Sequence, residues 1–326
     1  MKIVTPEEVT RQILEGSWRS LERLAGITNQ QAEKAANSSM NPVLGGGTRL
    51  MLAIAHRLSD DVDLFITSPQ WIGYLTPRLN DAIEEHVSDY HEGTTSLKLE
   101  LSVGEIDYIV STPLLGLPNE KSELSIFELE PVAEVLAKKL FYRGHAITAR
   151  DVFDWRQIEQ RFPASELHIE KMVTVLGDRL DGIEKALHAL SKNDLARSVA
   201  WERIRTPYPL EFDDSIEWGL QRVGQLRELS NTLSQGSDNL IHEQLQAQGY
   251  TQIESANLEG SHLYIGPIVA MSAMHIAQDL GRGKVAVHDS RILNRSPSVG
   301  ERVEIQMKEG KGHVASSHQP NKGLGR

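Results

Sequence analysis

The chain has 326 residues, 40% of them hydrophobic and 24% charged, which are ordinary proportions for a globular protein of about two domains. Cysteine is absent, excluding disulfides, thiolate nucleophiles and cysteine-based zinc sites. The net charge of −11, carried by all but a mildly basic stretch from Gly281 on, argues against a surface that binds nucleic acid indiscriminately.

No apolar run approaches the ~18 residues of a membrane span, and the start Met1-Lys2-Ile3-Val4 is no signal peptide, so no membrane association and a cytoplasmic setting are expected. Thr5-Pro6-Glu7-Glu8 forms a capping box with proline at the first helical position. It predicts a helix to about Ala25 that buries Val9, Ile13, Trp18, Leu21 and Leu24, followed by a second helix over 29–36. A short apolar strand over 41–44 then meets Gly45, Gly46 and Gly47. Glycines allow positive φ and close approach of a ligand to backbone N–H groups. From Thr48 the apolar residues Leu50, Met51, Ile54, Ala55 and Leu58 recur at helical spacing, so the glycines sit at a helix N-terminus, suited to phosphate.

Asp61, Asp63 and Phe65 alternate with Val62, Leu64 and Ile66. On a strand this puts both carboxylates on one face and the aliphatic side chains in the core. Like charges so close repel, and a hard divalent cation such as Mg²⁺, with substrate phosphates completing its shell, is the usual reason to place them there. A helix is expected over 77–87, then a strand over 96–102, a turn at Val103-Gly104-Glu105 and a returning strand over 106–111 that carries Asp107. After a loop over 113–125, one helix buries Val135, Leu136, Leu140 and Phe141, and another opens near Thr148.

Gly46-Gly47-Thr48, the helix and Asp61-x-Asp63 resemble the nucleotidyltransferase core of the DNA polymerase β superfamily. The fuller string from His56-Arg57 to Leu64-Phe65 looks like its AbiEii/AbiGii toxin branch, with Ala55 where that branch commonly has glycine. The resemblance implies a third carboxylate on the neighbouring strand, matched by Asp107 with Glu105 as competitor. It also matches Lys139, Arg143 and the Arg150-Asp151-x-x-Asp154 motif. It implies Asp61, Asp63 and Asp107 as metal ligands and, with Asp151, as catalytic residues; Gly46, Gly47, Thr48, Arg57 and Lys139 become nucleotide-binding residues. Lys138 competes with Lys139 and Asp154 with Asp151, Arg150 and Asp154 could pair along their helix, and His56 is expected to be structural.

From Ser165 to Gly249 helical stripes dominate: Ile169, Met172, Val173, Leu176 and Leu180, then Ile183, Leu187 and Leu190, then Ile216, Leu220, Val223, Leu226 and Leu229. Short strands separated by glycines follow, over 263–270, 274–278, 284–288 and 303–307, suggesting a small barrel-like β module. Tyr264-Ile-Gly-Pro, His275-x-x-Gln278, His288-Asp289 and Val299-Gly-Glu-Arg-Val-Glu-Ile resemble the KfrB module of plasmid-encoded proteins. His275 and His288 have no third soft ligand in the sequence to make a metal site.

The expected architecture is α+β: a polymerase β-like nucleotidyltransferase core with a mixed sheet and flanking helices over 1–160, a helical subdomain over 161–255, the β module over 256–316 and a disordered tail over 317–326. The resemblance implies a Mg²⁺-dependent enzyme moving an NMP from NTP to an acceptor hydroxyl, as the toxin of a toxin–antitoxin or phage-defence pair. RNA, above all tRNA, is the implied acceptor, and the resemblance also implies a cognate antitoxin encoded nearby. The alternatives are a protein or small-molecule acceptor, which the acidic body favours, or a non-catalytic plasmid-associated binding protein.

Overall fold

A computed structural model describes residues 1–316; the tail expected over 317–326 lies outside the described residues. The chain divides into two compact units. One comprises Met1–Met172 and Asp181–Val223, the other Val173–Leu180 and the chain from Gly224 on.

In the first unit β1 (Lys2–Ile3) leads into α1 (Pro6–Glu15), which opens with the expected capping box: Thr5 Oγ1 accepts from Glu8 N–H. The single long helix expected to Ala25 is interrupted. Gly16 leaves α1 in an extended conformation, and the Trp18 indole N–H caps its end by donating to the Gln12 carbonyl at 2.8 Å. The chain restarts as α2 (Trp18–Ala36), one continuous helix through residues 26–28. β2 (Val43–Leu44), α3 (Gly46–Ile54) and β3 (Val62–Ile66) follow as expected. The helix expected over 77–87 shrinks to α5 (Asp81–Glu84), after α4 (Gln70–Leu75), and its end becomes β4 (Val87–Glu92). β5 (Ser96–Leu101), β6 (Gly104–Val110) and β7 (Glu128–Leu129) complete a six-stranded sheet in the order β4-β5-β6-β3-β2-β7.

The sheet is mixed, with β3 parallel to β6 and β2 antiparallel to β3. Period-two alternation decides what each face carries. Val62, Leu64 and Ile66 of β3 and Ile106 and Tyr108 of β6 are fully buried in one cluster with Trp18, Leu21 and Ala25 of α2. The Tyr108 hydroxyl donates to Asn29 Oδ1 of α2 at 2.8 Å, so the hydroxyl that β6 carries into that layer is satisfied. The opposite face carries Asp63, Phe65 and Asp107. α6 (Val132–Arg143) and α7 (Ala149–Glu159) follow, then α8 (Ile169–Leu176) and α9 (Arg179–Ser191), separated at Gly177. β8 (Arg205–Thr206) pairs in parallel with β1, and α10 (Phe212–Ala247) runs far beyond the stripe from Ile216 to Leu229.

The second unit contains the sheet β14-β13-β10-β11-β12-β9. It comprises β9 (Gln252–Ser255), β10 (Ser261–Met271), β11 (His275–Gly281), β12 (Lys284–Asp289), β13 (Arg302–Lys308) and β14 (Lys311–Ser316). Four of these strands were legible; β9 and β14 were not. Ile241 and Leu245 of α10 pack with Ala270, Ala277, Val285 and Val287. At Gly266 a Cβ would overlap the Asp279 carbonyl, and the buried Gln278 amide donates to the Gly266 and Val303 carbonyls at 3.2 and 2.9 Å.

Leu64 is fully buried between α2 and the sheet. Leu64→Ala is expected to lower the unfolding free energy by about 2–5 kcal/mol in urea titration, with the cleft-face residues unchanged in sequence and spacing.

Candidate active site

The glycine turn lies where α3 begins. Gly46 has φ +64, and a Cβ there would fall onto the Asp63 carboxylate. The N–H groups of the first helical turn have no intrahelical acceptor and are free to meet an anion. Thr48 does not offer its hydroxyl to that space: buried, it donates to the Asp61 carbonyl at 2.5 Å and ties the helix start to β3.

Asp63 and Asp107 are register partners on parallel β3 and β6, and Asp61 lies two residues before Asp63. Asp61 Oδ1 accepts a 3.3 Å hydrogen bond from the Glu105 N–H. Burial, then Glu105 and Asp63, raises the Asp61 pKa. Burial, then Asp63, pushes Asp107 up to about 7. Glu105, the competing third acid, is paired with Lys98 at 2.5 Å. Among the described residues no three His, Cys, Asp or Glu side chains are gathered tightly enough to hold a metal as they stand. The donor chemistry nonetheless fits a hard divalent cation, because it is all carboxylate oxygen and its like charges raise the pKa of Asp61 and Asp107.

A cleft of about 430 Å³ opens beside these acids, lined by Gly46, Gly47, Asp63, Phe65, Lys138 and Lys139 together with Tyr142 and Arg143. Lys138 pairs with the buried Glu130 at 2.5 Å and lies over the Phe65 ring. Lys139 donates to Asp151 at 2.8 Å and stands 3.1 Å from Asp154. Burial works against its charge, but Asp151 and Asp154 prevail and hold its pKa above the ordinary lysine range. Both lysines therefore reach the cleft, each tethered to a buried acid.

Asp151 and Asp154 are buried and serve different partners. Asp151 caps α7 through Thr148 and holds Lys139; Arg143 stands 3.4 Å away. Asp154 does not pair with Arg150 along the helix. It accepts from Arg57 Nε and Nη2 at 2.7 and 3.0 Å and from His56 Nε2 at 2.8 Å. Burial opposes its charge, yet Arg57 and Lys139 keep it ionised far below the usual carboxylate range. A carboxylate only accepts, so His56 must carry its proton on Nε2. Burial, against the pull of Asp154, lowers the His56 pKa to about 4 and keeps the ring neutral. Arg57 is thus fixed beneath the turn, its Nη2 at 2.6 Å from where a Gly47 Cβ would stand, and does not line the cleft.

A second, smaller pocket of about 100 Å³ is lined by Arg57, Asp60, Asp61, Arg150, Arg203 and Arg205. Sequence reasoning missed Arg203, Arg205 and Glu130. The two arginines arrive through the β1–β8 pairing, across about 200 residues, and no local pattern marks them. In the second unit His275 Nδ1 is bonded to Ser237 at 3.0 Å, and His288 is buried edge-on to Tyr264.

The family described as nucleotidyl transferase AbiEii toxin, type IV TA system, matches residues 33–222, more than half the chain. The chain belongs to the AbiEii nucleotidyltransferase toxin family. It is an NTP-dependent nucleotidyltransferase. The KfrB domain matches residues 263–316. Among solved structures, a nucleotidyltransferase of H. pylori is 14% identical over 67% of this chain and 98% of its own, with a TM-score of 0.38. The antibiotic-resistance factor ANT(2″)-Ia is 13% identical over 52% and 98%, at 0.35. The Megavirus polyadenylate synthase is 10% identical over 94% and 63%, at 0.33. No curated protein matches the sequence.

Two outcomes test this geometry. Gly46→Ala forces a side chain into positive φ and onto Asp63; it is expected to weaken NTP binding by about tenfold or more in calorimetric titration. The unfolded chain protonates His56 near pH 6.5 and the folded chain only near 4. Its contribution is therefore complete above pH 6.5 and lost as the pH falls toward 4. Between pH 7 and 5 the wild type should lose about 2 kcal/mol more unfolding free energy than His56→Gln.

Proposed function

We propose that the protein transfers an NMP from NTP to the hydroxyl of an RNA acceptor, tRNA foremost, as the toxin of a toxin–antitoxin pair. The observation that carries the reading is the in-register placement of Asp63 beside Asp107, with Asp61 immediately before β3, next to a glycine turn at a helix start. Asp61, Asp63 and Asp107 would hold Mg²⁺. When bound, the ion supplies Lewis-acid polarisation of the phosphates and lowers the pKa of the acceptor hydroxyl.

The N–H groups of Gly46, Gly47 and Thr48 hold the triphosphate, and Lys139, kept charged by Asp151, faces the same cleft as a point charge. Asp151 is a positioning residue in this scheme, and Arg57 acts from beneath by supporting the turn. The acceptor oxygen attacks the α-phosphorus, the bond to the bridging oxygen breaks and pyrophosphate leaves. Asp107 takes the hydroxyl proton. The work is mostly positioning and charge stabilisation, which suits a site mounted on adjacent strands.

Family membership and the uncovered acids speak against a non-catalytic binding protein. The strongly acidic composition favours a second reading, a protein or small-molecule acceptor. Among the described residues no helix is long and apolar enough to cross a membrane. A neighbouring antitoxin gene would act without needing to touch the toxin, and the cytoplasm is the setting where nucleotide, RNA and antitoxin meet.

Incubation with each labelled NTP and with total RNA, protein or small hydroxylated acceptors separates the two readings. Asp61→Asn and Asp63→Asn are each expected to cut transfer by about 10³-fold or more. Their melting temperatures should stay level or rise, because like-charge repulsion is relieved. Normal turnover in either variant would overturn the metal-site reading.

A further inference from the structure

The small pocket on the Asp61 side shares no lining residue with the nucleotide cleft. Asp63 lines the cleft and Asp61 lines the pocket, so the acids that converge on the reacting centre stand between the two spaces. The pocket's charges are unevenly matched. Arg57 is committed to Asp154 through two hydrogen bonds, and Arg205 is ion-paired with Asp60, which Gln12 also holds at 2.7 Å. Arg150 at the start of α7 and Arg203 just before β8 are exposed, and among the described residues neither guanidinium has a hydrogen-bond or ion-pair partner. Two guanidiniums outside any hydrogen bond or ion pair thus flank a carboxylate that the reaction needs ionised, and Arg150 already favours its charged form.

At about 100 Å³ the pocket is far smaller than the 430 Å³ cleft and has room for a phosphate. The guanidinium fork matches phosphate oxygens in pairs, and exposed arginine gives up little hydration on binding them.

We infer that Arg150 and Arg203 form a subsite for a backbone phosphate of a nucleic-acid acceptor, seating the strand so that its reacting hydroxyl meets Asp61 and Asp107. This rests on the NMP-transfer reading and adds to it the residues that choose the acceptor. Arg205, braced by Asp60, forms the far wall. The pocket binds one phosphate and reads no base, so the subsite discriminates for a phosphodiester strand and not for its sequence.

The test uses the full chain, labelled NTP and bulk tRNA. Arg150→Ala and Arg203→Ala should each raise the KM for tRNA about tenfold with kcat little changed. Each should also flatten the salt dependence of tRNA binding by about one unit of log–log slope. Calorimetric NTP affinity should stay within about twofold of wild type, and Arg150→Lys should recover part of the loss because it keeps the charge. Both arginines are exposed, so unchanged melting curves confirm that folding is intact. If wild type labels tRNA and the alanine variants keep its KM and salt slope, the subsite is wrong while the transfer reading stands. If the variants lose NTP affinity in parallel, the pocket belongs to the nucleotide and the inference fails. If wild type labels only protein or a small molecule, both the RNA acceptor and this subsite are overturned.

Discussion

The parallel pairing of β3 with β6 is the constraint on which the rest of the structure depends. It brings Asp63 and Asp107 into register on strands roughly 4.8 Å apart and half-buries both. Left alone, that arrangement is unfavourable, since burial and mutual repulsion each resist ionisation. The fold sustains it because the same strands, one residue out of phase, bury Val62, Leu64, Ile66, Ile106 and Tyr108 against α2. A slip of one residue would send the acids into the core and the aliphatic side chains into the cleft. Core and site are two readings of one alternation, and the hydrophobic face fixes the position of the charged one.

A second device holds the glycine turn against that strand. Buried Asp154 gathers His56, Arg57 and Lys139, and Asp151 shares Lys139 beside it. Ions this deep are costly to desolvate, and only mutual pairing makes their burial tolerable. The network joins the end of α3, the middle of α6 and the start of α7. Because Arg57 reaches beneath Gly47 while Lys139 reaches the cleft, it sets both the support of the glycine turn and one wall of the cleft. His56, stacked on Phe153 with ring centroids 5.9 Å apart, closes it off as a neutral donor.

How legible this was depended on whether the decisive interaction was local. The alternation of Asp61 to Ile66 and the glycines before Thr48 fix strand, turn and helix with information a few residues wide, and the structure has all three. The break at Gly16 was missed because α1 and α2 share one apolar stripe; what separates them is the Trp18 indole turning back to the Gln12 carbonyl, a contact that periodicity does not encode. β4 was taken for the end of a helix because Ile83 and Val87 suit either period, and its pairing with β5 decides the matter. Sequence alone left Lys138 against Lys139, and Asp151 against Asp154, unresolved. Each lysine proves to have its own buried acid, which depends on how α6 meets the sheet and α7. By spacing alone Arg150 could pair with Asp154 four residues on, but Asp154 points inward to Arg57, 97 residues earlier in the chain, leaving Arg150 exposed.

That unpaired arginine changes how the overall charge should be weighed. A net charge of −11 repels polyanions over most of the surface and slows indiscriminate association. It does not set the potential inside a pocket a few ångströms across, which is governed by the two or three nearest groups and is screened beyond about 8–10 Å in physiological salt. An acidic body with unpaired guanidiniums beside the candidate reacting centre favours a phosphate chain that lies there over one that lies against the acidic surface. Such a distribution combines little bulk affinity for nucleic acid with a local preference for phosphate at that pocket. The acidity that counts against an RNA acceptor when the charge is averaged over the chain is, resolved residue by residue, compatible with one.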